Sequence, residues 1–258
     1  MWEVAAIFGV AVVGGVVPFL VRWNDRSLHI ALALATGVFL GAVFLHLLPE
    51  VAMQAAALGN DAHAGHDHGP ENPAAHVHAD LLPWLAMLIG VLGVYMIEAF
   101  VLRTHDHDDL HRHRAVSIAA LLGLAVHALM AGLAFATVRD ETIGGALLLA
   151  ILCHKGFESF SLTTVFQLAQ FSRRRVLLVI LGFALVTPIG ILLGDSIARH
   201  LGGNGITFLN ALAAGTFLYV SLCELLTEVF HHREDGAAKM GLLGLGIAIM
   251  WLAHGAGI

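Results

Sequence analysis

The chain has 258 residues, 58% of them hydrophobic and 12% charged, with a formal charge of −6 at neutral pH. A soluble domain carries about a quarter charged residues; half that share cannot cover a globule of this size, so the composition points to the bilayer. Net negative charge argues against a nucleic-acid partner, and two cysteines, Cys153 and Cys223, both in apolar runs, exclude a disulfide framework.

A helix that crosses a bilayer needs about 20 apolar residues. Eight stretches qualify, at 2–21, 30–49, 81–102, 115–138, 143–169, 176–198, 206–230 and 240–257. The expected fold is therefore an all-α, polytopic membrane protein of eight transmembrane helices forming one domain over 1–258, with no internal repeat. The first stretch has no basic residue before it, whereas Arg22 and Arg26 follow it. That is unlike a cleavable signal peptide and places the N-terminus outside.

The second stretch ends in His46 and Glu50, an i, i+4 pair around Pro49. Proline removes an amide donor and frees a carbonyl, which suits a kinked helix beside a cation path. Ordinary solvation at the outer interface is the competing reading. Residues 54–80 follow, with His63, His66, His68, His76 and His78 among Pro, Gly and Asn, and read as an external histidine-rich loop. The third stretch carries Glu98 near its inner end. A second histidine-rich loop, 104–114, holds His105, His107, His111 and His113 inside.

The fourth stretch places His127 near the middle of a long apolar run. The fifth holds His154, Lys155 and Glu158. His154 and Glu158, four residues apart, share a helix face and can ligate one zinc-class cation together. Lys155 cannot be a ligand while charged, and a Glu–Lys pair that merely glues helices is the alternative. The seventh stretch offers Glu224 and Glu228, again i, i+4, followed by His231 and His232. These residues suit either a cation exit or an interfacial cap.

Basic residues test the topology. With the N-terminus outside, the inner loops hold Arg22, Arg26, Arg103, Arg112, Arg114, Arg173, Arg174, Arg175, Arg233 and Lys239, and the outer ones only Arg139 and Arg199. This bias fits the positive-inside rule, and an odd number of spans would destroy it. Both termini are expected outside.

An ionisable group at the bilayer centre costs about 2.5–3.5 kcal/mol on insertion scales, so each is a functional candidate. His46, His127 and His154 join Glu50, Glu98, Glu158, Glu224 and Glu228 on apolar helices or their ends, with Lys155 as the cation available to them. Such an excess of carboxylate and imidazole calls for a cation. Nitrogen donors favour zinc, iron, nickel or copper over magnesium and calcium. The metal is expected as transported substrate, with no prosthetic group. The histidine loops suit loose metal capture.

Five segments carry a family resemblance: GVFLGAVFLHLLPE at 37–50, VHALMAGLAF at 126–135, HKGFESFSL at 154–162, TPIGILLG at 187–194 and AGTFLYVSLCELLTEV at 214–229. In this order they resemble the ZIP (Zrt/Irt-like) metal-ion transporters over most of the chain. The resemblance implies divalent-metal transport toward the cytoplasm, without ATP, by sliding of a transport bundle. It also implies a central site between the fourth and fifth helices, with His127, His154 and Glu158 on ligand positions. The chain departs from the family pattern at Ala128, Ala131, Lys155 and Thr187, where many members carry polar or acidic groups. One bound metal rather than two is therefore expected, with Glu158 supplying a carboxylate and Glu98, Glu224 or His46 completing the shell.

Other readings are an exporter or channel on the same fold, a membrane zinc hydrolase, and a metal sensor without flux. No HExxH or GxSxG motif supports the hydrolase. Gly37/Gly41 and Gly190/Gly194 suit close helix packing within one chain or between two, so a homodimer is one expectation. A plasma membrane is the expected location.

Overall fold

In the computed structural model, the described residues are 2–20, 23–63, 80–102, 109–137, 141–231 and 234–255, and among them the chain is helical with no strand. The α-helices are α1 (Trp2–Leu20), α2 (Asp25–Ala42), α3 (Leu48–His63), α4 (Leu82–Ile97), α5 (Asp109–Thr137), α6 (Glu141–Leu168), α7 (Arg173–Tyr219), α8 (Leu226–Phe230) and α9 (Gly236–Gly255). Seven stretches among the described residues are long and apolar enough to cross a membrane, and α6 is not one of them. Residues 54–63 of the expected external loop continue α3, and 109–114 of the inner loop open α5. His66, His68, His76, His78, His105 and His107 lie outside the described residues.

Local chemistry sets the helix ends. Asn24 caps α2, its Oδ1 accepting from the Ser27 amide at 2.8 Å while Ser27 Oγ returns the contact to the Asn24 amide at 3.0 Å, a reciprocal capping box. Between α6 and α7 the chain turns at Gln170, whose φ of 56° is left-handed. The Phe171 amide bonds back to Phe166 O at 3.1 Å, so the last carbonyls of α6 are satisfied by a Schellman-type stop.

Among the described residues, three one-turn π-helical segments interrupt the α-helices: Val43–Leu47, Glu98–Leu102 and Val220–Leu225. The first has a sequence cause. Pro49 has no amide proton and its ring crowds the carbonyl of residue 45, and just before it the Leu48 amide reaches back to Val43 O. Each π segment contains one of the candidate residues, His46, Glu98 or Glu224, where a widened turn re-aims side chains.

α7 is one assigned helical element from Arg173 to Tyr219, yet it is no rod. Forty-seven residues would extend about 70 Å when straight, with Gly190 and Thr216 about 39 Å apart. Gly190 instead packs on Leu129 and Gly132, while Thr216 Oγ1 lies 3.4 Å from Gly123 O. Those α5 partners span only about 14 Å of rise. The chain therefore reverses between Gly194 and Leu209, through the stretch expected as a loop between the sixth and seventh spans. The first half of α7 runs parallel to α5 and the second antiparallel.

Glycines set how closely these helices approach. Gly190 and Gly132 face each other between α7 and α5, and a Cβ on either would strike the opposite backbone. Gly37 meets Leu243 of α9, Gly41 meets Met250 and Gly194 meets Ala136. Both glycine pairs noted in the sequence are thus used within the chain.

The helices form two groups. α1, α6 and the first half of α7 pack with α5, tied by Gly14 on Gly156 and by Thr163 Oγ1 donating to Gly15 O at 2.8 Å. α2, α4, α9 and the second half of α7 make the other, through Gly37 on Leu243 and Gly215 on Met87. One apolar core joins them, including Phe39, Leu124, Leu162, Phe183 and Phe217. Large apolar side chains such as Leu88, Leu92, Leu178 and Leu192 are exposed, as suits a lipid-facing surface.

Candidate metal centre

α5 and α6, the expected fourth and fifth spans, bring His127, His154 and Glu158 together. Their side chains are buried, and one candidate ligand atom from each lies within 4.8 Å of the others. Helical periodicity accounts for His154 and Glu158. The arrival of His127 depends on how α5 packs, and its ring stacks on Phe217 with centroids 4.3 Å apart.

Glu158 Oε1 is 3.5 Å from His127 Nε2 and 3.7 Å from His154 Nε2. Ligands at about 2.0–2.2 Å in a tetrahedral zinc shell stand roughly 3.3–3.5 Å apart, so small rotamer adjustments would seat one ion. Neither His127 Nε2 nor Glu158 Oε1 makes a hydrogen bond, although both are buried. An orphaned buried polar atom costs about 1–3 kcal/mol, and the two occur here side by side, aimed at one point.

The other oxygen of Glu158 is used differently. Lys155 Nζ donates to Oε2 at 2.9 Å, from a side chain 1% exposed that also lies over the Phe183 ring, 4.0 Å from its centroid. The Glu–Lys pairing and the Glu–His cluster, weighed as alternatives from sequence, coexist on separate oxygens. The ammonium reduces the net negative charge, and the buried carboxylate has a cationic partner.

The remaining candidates lie apart. His46 is half-buried on its π turn. Glu50 accepts from Gln54 Nε2 at 3.1 Å. Glu98 is buried and accepts from the Tyr219 hydroxyl, and Glu224 is buried on its own π turn. Glu228, 1% exposed, faces His29 Nε2 at 3.4 Å and His113 Nδ1 at 2.8 Å.

Sequence reasoning passed over His29 and Tyr219 and counted His113 only among loop histidines. A signal for His29 existed: Leu28, Leu32, Ala33 and Thr36 are buried with it, the i, i+3, i+4, i+7 stripe of an inward helix face. Nothing in the spacing marked Tyr219 as the partner of Glu98.

Comparison with known proteins follows the same lines. The sequence model of the family "ZIP Zinc transporter" matches residues 3–107 and 102–254. Zinc transporter ZIP9-B of Xenopus laevis is 26% identical, over 93% of this chain and 89% of its own length. Zinc transporter ZIP2 of Mus musculus is 26% identical, over 92% and 91%. Zinc transporter 9 of Oryza sativa subsp. japonica is 30% identical, over 76% of this chain and 56% of its own length.

Proposed function

Because this chain belongs to the ZIP zinc transporter family, we propose that it carries a divalent transition-metal ion, zinc foremost, across the membrane toward the cytoplasm through a site held by His127, His154 and Glu158. The observation that carries this is the convergence of two imidazoles and one carboxylate, all buried, with ligand atoms within 4.8 Å on helices of a membrane protein. Two neutral nitrogens and one anionic oxygen make a borderline-soft donor set that suits zinc or iron(II) better than calcium or magnesium.

The same reading takes the chain as eight spans. α6 is long enough at about 42 Å to serve as a span beside the seven more apolar stretches, and each half of α7 supplies one. Both termini then face outside, the basic loops face the cytoplasm, and the surrounding membrane is the plasma membrane. His46 and Glu50 stand toward the outer end and receive the ion. Lys155 offsets part of the Glu158 charge, which weakens retention and aids release. The ion passes through without covalent chemistry, so no catalytic step is assigned.

The test is zinc uptake into proteoliposomes by wild-type protein and by His127→Ala, His154→Ala and Glu158→Ala. Saturable uptake that falls at least tenfold in all three supports the site. Uptake unaffected by the combined His127→Ala and Glu158→Ala changes overturns the site, and tight zinc binding without any flux overturns transport.

A further inference from the structure

A second constellation repeats the donor chemistry of the first. His29 from α2, His113 from α5 and Glu228 from α8 are distant in sequence, yet both imidazoles approach a single oxygen, Glu228 Oε1. Glu228 and His29 are buried, and the His113 side chain is 14% exposed. The 3.4 Å separation of His29 Nε2 from that oxygen is close to that expected between two ligands of one tetrahedral zinc, roughly 3.3–3.5 Å. To share one ion, His113 Nδ1, now 2.8 Å from that oxygen, has to withdraw by about half an ångström, and the two imidazoles, which stand more than 4.8 Å apart across it, have to swing toward each other.

We propose that His29, His113 and Glu228 form a second binding site for a divalent transition-metal ion. Both sites draw a histidine from α5, and about 21 Å of helical rise separates His113 from His127. The second site therefore lies at the end of α5 that bears Arg112 and Arg114. Glu224 is buried one turn from Glu228, and Glu98 is buried against Tyr219, which packs by Ala119 of α5, so further buried polar groups lie between the two ends. The role of this site as a receiver for ions leaving the first rests on the transport reading above; its capacity to bind metal does not.

The probe is Co²⁺, whose d–d absorption reports tetrahedral nitrogen and oxygen ligation, titrated into purified full-length protein. The histidines between 63 and 78 and at 105 and 107 are first replaced by serine, so that loop binding does not contribute. The expected result is two equivalents bound, falling to one in His127→Ala/His154→Ala and to one in His29→Gln/His113→Gln. His113→Cys, in protein that keeps the parent's melting temperature, should retain the second equivalent and add a thiolate-to-cobalt charge-transfer band, which a merely misfolded variant would not do. Two equivalents retained by His29→Gln/His113→Gln, or none retained by His127→Ala/His154→Ala, would overturn the proposal. Loss of the second equivalent with normal zinc uptake would leave the first site standing and remove the receiver role.

Discussion

Replacing Glu158 by glutamine perturbs two interactions at once, and a second substitution separates them. Oε2 of Glu158 lies 2.9 Å from Lys155 Nζ, both side chains being 1% exposed. At an effective dielectric of about 20, two unit charges at that distance attract by about 6 kcal/mol. Breaking one partner of a buried pair costs about 3–5 kcal/mol. Glu158→Gln alone should therefore lower the melting temperature in detergent by on the order of 10 °C as well as abolish zinc uptake. Lys155→Met added to Glu158→Gln removes the stranded ammonium, and most of the lost stability should return. Uptake should not return, because the carboxylate oxygen facing His127 and His154 is still missing. Melting curves and proteoliposome uptake on the three proteins make the comparison. Recovery of uptake in the double variant would refute the reasoning, since Glu158 would then serve only to neutralise Lys155.

Other expectations can be checked in the same preparations. His127→Ala should lose uptake while costing only about 0.5–1.5 kcal/mol of stability beyond lost area from the Phe217 stack, read by melting temperature. Gly132→Val should prevent normal folding, because its side chain would meet the backbone at Thr187; Gly182→Ala, with nothing within 4 Å of the added carbon, should be neutral or gain up to about 1 kcal/mol. The Arg26 guanidinium holds Asp235 below the usual aspartate range. The contribution of that pair to stability is thus present above the ordinary aspartate pKa and fades as pH falls through the depressed value. Melting of Asp235→Asn should accordingly differ from wild type at neutral pH and converge with it in strong acid. Tyr219→Phe removes a donor from buried Glu98 and should cost about 1–3 kcal/mol, measured by denaturant or thermal unfolding.

Much of the architecture was legible because a bilayer enforces long apolar helices, and 12% charge over 258 residues admits few alternatives. The His154–Glu158 relation was legible too, since a helix brings residues four apart onto one face. Periodicity is local, however. It could not bring His127 to Glu158, assign Lys155 to the other oxygen, or place Tyr219 against Glu98, because each contact joins separate turns or helices. It did place a turn between the sixth and seventh spans, where α7 reverses, but it could not foresee that both halves of α7 pack on α5, or that Gly37 and Gly190 would find partners inside the chain. His29, His113 and Glu228 illustrate the limit most clearly: they come from three elements, and only packing makes them neighbours. Sequence determined the kind of molecule and the stock of ligands, through hydropathy and residue chemistry. Tertiary structure decided which ligands share an ion, because that depends on where close helix approaches leave side chains facing one another.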